Sequence, residues 1–218
     1  EEGLVKYMTR LADGLEIESV IVPMATHQTL CISTQAGCRM GCRFCRTADM
    51  GLQRNLGVAE IVAQVLTARH RYGVNTPNIV FMGMGEPLDN LHEVVKSLEI
   101  ITSDWGFGLS PRRITVSTIG ITPAMLEFLN RSEAHLAVSL HTPFDDERRR
   151  LMPVQQVHPL KEVLNEIKSW DFGRQRRVSF EYILFKDFND SSAHVNELSR
   201  ILHGIRCRIN LIRFHPIP

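Results

Sequence analysis

The sequence lacks any apolar run that approaches the ~18 consecutive residues needed by a membrane-spanning helix. Its first residues, EEGLVKYMTRL, also lack the basic stretch followed by an apolar run that marks a signal peptide. The net charge is only +1, so the overall charge does not indicate a nucleic-acid partner. These absences favour a globular protein of the cytoplasm without a membrane partner.

Cysteine usage points the same way. The five cysteines are an odd number, and three of them fall within eight positions. Such crowding argues against an extracellular disulfide framework and predicts thiols that stay reduced. A chain of 218 residues with a hydrophobic share of 44% can bury a sizeable core without disulfide bonds.

The order of strand-like and helix-like segments predicts an α/β fold. Residues 3–22 are predicted to form a hairpin, because two strand-like runs flank Asp13-Gly14, a tight-turn signal. From Thr29 onward, six strand-like runs alternate with helical patterns, which predicts βαβ units and a parallel sheet. Periodicity alone leaves a doubly wound sheet and an incomplete barrel both open. We expect a hairpin extension over residues 1–28 and a core over residues 29–218.

The cysteine spacing, Cys38-x3-Cys42-x2-Cys45, indicates a metal site. Structural zinc usually has four ligands. The candidates for a fourth ligand are Cys31, His27 and Cys207. A 4Fe–4S cluster normally has four cysteines, so three would leave one iron open to bind a substrate. Zinc and an iron–sulfur cluster therefore both remain open on spacing alone.

Polar residues follow several predicted strands. Met82-Gly83-Met84-Gly85-Glu86-Pro87 fits neither the dinucleotide GxGxxG motif nor a P-loop, and its glycines permit close backbone approach to a ligand. Glu86 can accept a hydrogen bond from an ammonium group, although a solvated glutamate in a tight turn is the simpler interpretation. Ser117, Ser139 and His141 each have an equally simple structural interpretation. Because the carboxyl ends of parallel strands share one edge, we expect these residues to gather there.

The motif CRMGCRFC, with Phe44 before its last cysteine, resembles the CxxxCxxC signature of the radical S-adenosylmethionine superfamily. Further motifs follow in the order found in RlmN/Cfr-type RNA adenine methyltransferases, between about Glu16 and Arg213. They are CISTQAGCRMGCRFC, GLQRNL, FMGMGEPLDN, SPRRITVSTIGITP, LAVSLHTP, LMPV, FND and INLIR. The resemblance implies a six-stranded partial (β/α) barrel preceded by the hairpin.

The resemblance also assigns roles to individual residues. It implies a 4Fe–4S cluster on Cys38, Cys42 and Cys45 whose open iron binds S-adenosylmethionine. Its implied contacts to that cofactor are Phe44, Gly85, Glu86, Ser117, Ser139, Leu140, His141 and, in place of a more usual asparagine, His215. It further implies that Cys31 resolves a covalent RNA adduct and that Glu18 accepts a proton. Without the resemblance, Cys31 would be a buried strand cysteine and Glu18 an outward-facing hairpin charge.

The implied reaction is radical methylation of an adenine in ribosomal RNA and possibly transfer RNA, at ring carbon 2 or 8. We expect the chain to be the catalytic core, without the family's N-terminal helical region and its methyl-carrying cysteine near the C-terminus. We also expect a one-electron donor such as flavodoxin and a monomeric chain. The alternatives are a radical enzyme that acts on another substrate and a zinc-stabilised RNA-binding module.

Three basic clusters occur at Arg112-Arg113, Arg148-Arg149-Arg150 and residues 174–177. A run of like charges is usually a solvated face, and we predict this for each cluster. If several of them shared the side of the strand ends, they would form an RNA-binding surface whose affinity falls with salt.

Overall fold

The computed structural model describes residues 3–173 and 178–215, so the basic cluster at 174–177 lies outside the described residues. The strands are β1 (Val5–Arg10), β2 (Glu16–Pro23), β3 (Gln28–Cys31), β4 (Gln35–Gly37), β5 (Leu52–Asn55), β6 (Asn78–Phe81), β7 (Ile114–Thr118), β8 (His135–Ser139), β9 (Val178–Leu184) and β10 (Cys207–Arg213). The α-helices are α1 (Arg46–Asp49), α2 (Val58–Tyr72), α3 (Leu91–Thr102), α4 (Thr122–Arg131), α5 (Asp145–Leu151), α6 (Leu160–Ser169) and α7 (Ser192–Ile201). Short 3-10 helices cover Pro87–Asn90, Pro111–Arg113 and Pro153–Gln156. No helix within the described ranges has both the length and the apolar character needed to cross a membrane.

Eight strands form one sheet in the order β1-β2-β3-β6-β7-β8-β9-β10. The six strands from β3 to β10 in this order pair in parallel, whereas β1 and β2 join them as an antiparallel hairpin. This topology confirms the predicted α/β class, with six parallel strands preceded by a hairpin. The predicted boundary at residue 28 stays a prediction.

The segment between Gly37 and Asn55 has no clear hydrophobic periodicity in the sequence, which predicts one long loop, but it contains short regular elements. β4 and β5 form a two-stranded antiparallel ribbon at its base, and α1 lies between them. The strands of this ribbon are only three and four residues long, and their register shifts at Ala36/Gly37, so they leave no alternating pattern in the sequence. The ribbon fixes both ends of the segment between β4 and β5 that carries Cys38, Cys42 and Cys45, which we call the cysteine loop.

The core lies where the parallel strands pack against the helices. Strands covered on both faces carry continuous apolar runs, and the helices contribute one apolar face each. Fully buried members include Leu30, Ile79, Phe81, Val116, Leu136, Val138, Phe180, Ile61, Val94, Phe128 and Val163. This packing holds the carboxyl ends of the parallel strands together at one edge.

Gln64, on α2, attaches the hairpin to the barrel. Its side-chain oxygen accepts hydrogen bonds from the Ser19 hydroxyl and from the Ser33 N–H, each at 2.8 Å. Its side-chain nitrogen donates to the Ser33 carbonyl at 2.8 Å, and its own carbonyl accepts from the Tyr7 hydroxyl at 2.8 Å. A buried amide needs such partners, and they tie β1, β2 and the segment after β3 to one helix.

Candidate active site

A cavity of about 230 Å³ opens at the carboxyl ends of the parallel strands. Nine of the predicted site residues line it: Cys38, Cys42, Cys45, Phe44, Gly85, Glu86, Ser117, Ser139 and His141. A larger groove of about 510 Å³ lies between α5, α6 and α7, but it contains none of the cysteines. The smaller cavity is the candidate active site, because thiols, a carboxylate and an aromatic wall face the same space there.

The cysteine loop is held by backbone hydrogen bonds and by apolar packing. The Cys38 N–H donates to the Gly51 carbonyl at 3.1 Å, and the Cys45 N–H donates to the Cys42 carbonyl at 3.1 Å. Gly37 is required at the ribbon, since its φ is +78° and a Cβ there would lie 1.8 Å from the Gly51 oxygen. On its inner side, Cys42 packs in a small apolar cluster with Ile119, Met152 and Val154.

The loop thiols are electrostatically coupled. The pKa of Cys42 is raised to about 12, mainly by burial and in smaller part by the neighbouring thiols, while Arg148 acts to lower it. Burial likewise raises the pKa of Cys38 to about 11, with smaller contributions from Glu86 and Cys45. Metal ligands are thiolates, so binding must displace protons from these groups. Cys38 and Cys42 are therefore neutral thiols at neutral pH until a metal displaces their protons.

These three donors fit a 4Fe–4S cluster. They line one cavity, and each thiolate of such a cluster binds a different iron, so the sulfurs need not converge on one point. Among the described residues, no three His, Cys, Asp or Glu side chains are arranged to hold a single metal ion. The donor set is therefore compatible with a cluster that keeps one iron free for a second ligand.

The Gly-Met-Gly turn after β6 packs directly on the chain after β3. A Cβ at Gly83 would lie 2.7 Å from the Ile32 oxygen, and a Cβ at Gly85, where φ is +99°, would lie 2.5 Å from the Gln35 Cβ. The Gln35 side-chain oxygen accepts from the Glu86 N–H at 2.8 Å. Glycine is needed at both positions, because only a missing side chain permits this approach.

Glu86 is an almost fully buried carboxylate, with 4% of its surface exposed. One of its oxygens accepts from the Leu88 N–H at 3.1 Å, and the other accepts from the Ile119 N–H at 3.0 Å. Burial raises the pKa of Glu86 to about 7, although these hydrogen bonds oppose the shift. Its interpretation as a solvated turn glutamate is wrong. It is a buried acid whose pKa lies near neutral pH, and it lines the same cavity as the thiols.

His141 forms the opposite wall with Phe44. Its backbone is left-handed, with a φ of 58°, and its Nδ1 accepts from the Ile183 N–H at 3.1 Å. The two rings meet edge to face with centroids 4.8 Å apart. Burial and nearby Arg148 lower the pKa of His141 to about 3, so the ring is neutral at physiological pH. Because Nδ1 of the neutral ring already accepts the Ile183 N–H, Nε2 is the ring atom suited to a hydrogen bond with a ligand hydroxyl.

Four predicted residues do not line this cavity. Leu140 is fully buried in the main core, and His215 is exposed after β10. Cys31 ends β3, and Glu18 lies on β2 in an ion pair with Lys6. The pKa of Cys31 is raised to about 11, mainly by burial and in smaller part by the charge of Glu18.

The sequence interpretation missed Glu181. This β9 residue lines the cavity, is 5% exposed, and accepts from Asn210 Nδ2 at 3.0 Å and from Ser179 Oγ at 3.1 Å. Burial raises its pKa. A carboxylate inside the apolar run VSFEYIL was the available signal, because an ionisable residue in such a strand needs a partner or a role.

The basic clusters differ in their exposure and in their position on the molecule. Arg148 is completely buried, so the prediction of a solvated face is wrong for it: α5 turns this side chain inward. Arg149 pairs with Asp146 on the surface at 2.6 Å, and Arg150 lies 5.3 Å above the Phe188 ring. Arg112-Arg113 precede β7, at the end of the sheet opposite to the cavity.

The family model of the radical SAM superfamily matches residues 32–198. The chain therefore belongs to the radical SAM superfamily. It is 51% identical over 218 residues to a probable dual-specificity RNA methyltransferase RlmN from Parabacteroides distasonis, covering 100% of this chain and 63% of that protein. It is also 48% identical to the dual-specificity RNA methyltransferase RlmN from Syntrophotalea carbinolica, covering 98% of this chain and 57% of that protein. The chain thus spans about three-fifths of the length of these curated relatives.

Two solved structures share the fold. The crystal structure of a radical SAM methyltransferase from Sphaerobacter thermophilus matches with a TM-score of 0.93 and 41% identity, covering 99% of this chain and 64% of that one. The structure of Streptococcus suis SuiB bound to S-adenosylmethionine matches with a TM-score of 0.62 at 17% identity, covering 86% of this chain and 41% of that one, a likeness of fold alone. The resemblance inferred from the motifs is confirmed, and the first match supports the partial barrel.

Proposed function

We propose that this chain is the catalytic core of a radical S-adenosylmethionine enzyme that methylates an adenine in RNA. The observation that carries the proposal is the cavity at the strand ends, where three thiols, buried Glu86 and the Phe44–His141 wall face one space. The identity of 46–51% to RlmN methyltransferases over nearly the whole chain supports the substrate class. Ribosomal RNA is the proposed main substrate, and transfer RNA a second one, in keeping with the dual specificity named for those relatives.

In this proposal, Cys38, Cys42 and Cys45 hold the 4Fe–4S cluster. When bound, the cluster supplies the electron that cleaves S-adenosylmethionine to a 5′-deoxyadenosyl radical. The chain's own residues bind and orient that cofactor. Phe44 contacts its adenine ring. The remaining contacts come from Gly85, Glu86, Ser117, Ser139 and His141, which line the cavity. Leu140 and His215, which the family resemblance also implies, lie outside the cavity.

Glu86 has the properties needed to hold the cofactor's ammonium group. Its carboxylate is desolvated, and a positive charge brought beside it restores the ionised form that burial disfavours. An ammonium–carboxylate contact in this surrounding is a charge-assisted hydrogen bond, which is stronger than a neutral one. The two backbone N–H groups on Glu86 fix the direction of its oxygens before the ligand arrives.

Cys31 and Glu18 form the proposed second site of the reaction. With its pKa raised to about 11, Cys31 stays a thiol at neutral pH. It must lose its proton to attack a covalent adduct, and Glu18 is the carboxylate whose charge acts on it. We propose that Glu18 accepts the adenine ring proton. The Cys31 thiolate then attacks the sulfur of the cysteine that links the methylene group to the protein, so that a disulfide forms, the carbon–sulfur bond breaks, and its electron pair leaves with the product carbon, which takes up a proton.

We further propose that the protein acts in the cytoplasm as a monomer, with a one-electron donor such as flavodoxin. A reduced flavodoxin that supports cleavage of S-adenosylmethionine in place of dithionite is the expected result. A protein that elutes as a dimer in size-exclusion chromatography would contradict the monomer.

The test begins with anaerobically reconstituted protein. Iron and sulfide should be bound in equal amounts, and dithionite should trigger cleavage of S-adenosylmethionine, with both properties lost on Cys42→Ala. A colourless protein that holds one zinc would overturn the proposal in favour of a zinc-stabilised module. Mass spectrometry of ribosomal and transfer RNA from cells with and without the gene should then show a methylated adenine only with the gene. Cofactor cleavage without any change in RNA would instead indicate another substrate.

A further inference from the structure

Arg148 is a buried cation that the proposed reaction leaves without a role. The side chain is completely buried on α5, beneath the cysteine loop. Its Nη2 donates to the Ile119 carbonyl at 2.8 Å and to the Ser139 carbonyl at 3.1 Å, and its Nη1 donates to Gln155 Oε1 at 2.6 Å. These partners hold the guanidinium at the ends of β7 and β8, behind the cavity wall.

No carboxylate in residues 3–173 and 178–215 forms an ion pair with this guanidinium, and its Nε has no hydrogen-bond partner there. The nearest compensation is indirect, since Gln155 Nε2 donates to exposed Asp145 at 2.7 Å. A buried charge without a partner is costly, because desolvation is not offset by a close opposite charge. A structural role for Arg148 accounts for its three hydrogen bonds. It does not account for a buried positive charge that has no negative charge beside it.

The missing anion belongs on the side of the cysteine loop. Cys42 packs against Ile119, whose carbonyl binds Arg148, and against Met152, whose N–H donates to the Arg148 carbonyl at 2.6 Å. The cation therefore sits close behind one of the three proposed cluster ligands.

We propose that Arg148 is the buried counter-charge of the iron–sulfur cluster and sets its reduction potential. This inference rests on the proposed function, because it needs a cluster on the three loop cysteines. Reduction adds one negative charge to the cluster, so a fixed positive charge stabilises the reduced form relative to the oxidised form. The potential of such clusters depends on net charge, hydrogen bonds and solvent exposure, and low polarity around Arg148 strengthens its effect. Arg148 is a positioning residue, since it acts through Cys42.

Redox titration of the reconstituted protein tests this role. Wild type, Arg148→Gln, Arg148→Lys and Arg149→Gln are loaded anaerobically, and the reduced fraction is read by electron paramagnetic resonance at fixed solution potentials set with dithionite and mediators. At the wild-type midpoint, the ratio of reduced to oxidised cluster should fall at least about tenfold in Arg148→Gln, which is 59 mV for one electron. Burial lowers the pKa of a lysine that has no carboxylate partner, so Arg148→Lys should give a ratio between those of wild type and Arg148→Gln.

Arg149→Gln is the matched control, because Arg149 is the next residue on the same helix but pairs with Asp146 at the surface. It should titrate like wild type. A fully loaded Arg148→Gln variant with the wild-type midpoint would overturn the inference. Wild-type protein that binds no cluster would instead contradict the proposed function.

Asp145→Asn gives a test that does not depend on folding of the Arg148 variants. This substitution removes the carboxylate that Gln155 connects to the guanidinium, so the positive charge is less compensated. The ratio of reduced to oxidised cluster should rise, by about twofold since Asp145 is exposed to solvent. An unchanged or lower ratio in a loaded Asp145→Asn protein would also overturn the inference.

Discussion

The molecule has two thiol-bearing regions that differ in what surrounds the sulfur. In the cavity, Cys42 lies among other thiols, buried Glu86 and buried Arg148. At the hairpin side, Cys31 lies beside Glu18 and the Met82 backbone, and Glu18 in turn pairs with exposed Lys6. Burial raises the thiol pKa in both regions, to about 12 and about 11.

The difference lies in the charges available when the thiols ionise. Several thiolates together repel one another, and only a cation or a metal can hold them in one place. Behind the cavity wall, Arg148 opposes the effect of the Glu86 charge on Cys42, whereas the charged group that acts on Cys31 is a carboxylate, which further disfavours a thiolate. The comparison teaches that the loop is suited to binding a cluster and that Cys31 is suited to reacting once, after its proton is removed.

The largest expected effect separates the two regions directly. Cys42→Ala should lose nearly all bound iron after anaerobic reconstitution, because one of only three ligands is removed, whereas Cys31→Ala should bind as much iron as wild type. Iron and sulfide assays per chain measure both. Equal losses in the two variants would break the comparison and return Cys31 to the ligand set.

Glu86→Gln should weaken binding of S-adenosylmethionine to the reconstituted protein by roughly 10- to 100-fold. The reason is the loss of a hydrogen bond to a charged group, worth about 1.5–3 kcal/mol. Anaerobic equilibrium dialysis gives the dissociation constant. Glu16→Gln is the control, since exposed Glu16 only pairs with Arg10 on the hairpin, and its affinity should equal that of wild type.

The lowered pKa of His141 predicts that the free energy of unfolding depends on pH. Its pKa is near 6.5 when unfolded and about 3 when folded, so the folded state favours the neutral ring. This contribution to stability is complete above pH 6.5 and is lost as pH falls toward 3, by about 1.4 kcal/mol per pH unit.

The variant His141→Asn tests this contribution, because asparagine tolerates the left-handed backbone. Its deficit in unfolding free energy relative to wild type should shrink as pH falls, measured by urea unfolding of the metal-free protein. His203→Asn, at an exposed position after α7, should run parallel to wild type at every pH. A constant deficit for His141→Asn would contradict the buried neutral ring.

The smallest effect is expected at the hairpin. Lys6→Met removes an ion pair whose lysine is 56% exposed, so the free energy of unfolding should change by no more than about 1 kcal/mol. Chemical denaturation with and without added salt measures the change. A loss of more than about 2 kcal/mol would show that the hairpin side also depends on a fixed charge pair, and the contrast with the cavity would weaken.

The sequence was sufficient for features that depend on local pattern. Alternating strand and helix segments predicted the six parallel strands. Ser117, Ser139 and Glu86 lie at or just after the carboxyl ends of successive strands, which predicted that they would meet, because parallel strands place these ends at one edge. The cysteine spacing predicted a metal site without choosing the metal.

Features that depend on distant partners were not predictable. Nothing local distinguishes Arg148 from Arg149, and only the packing of α5 against the ends of β7 and β8 buries the first and exposes the second. Glu181 is partnered by Asn210, 29 residues further along the chain. Such contacts are set by the tertiary fold, and a pattern read along the chain does not contain them.

The two hydrogen bonds on the Glu86 carboxylate connect the turn after β6 to the turn after β7. Both turns are thereby ordered during folding, and little conformational entropy remains to be lost when a ligand arrives. Preorganisation of this kind strengthens binding without adding a contact. The fold already orients the Glu86 carboxylate before the cofactor binds. The affinity of the protein for the cofactor should therefore depend on the intact sheet and its turns as much as on Glu86 itself.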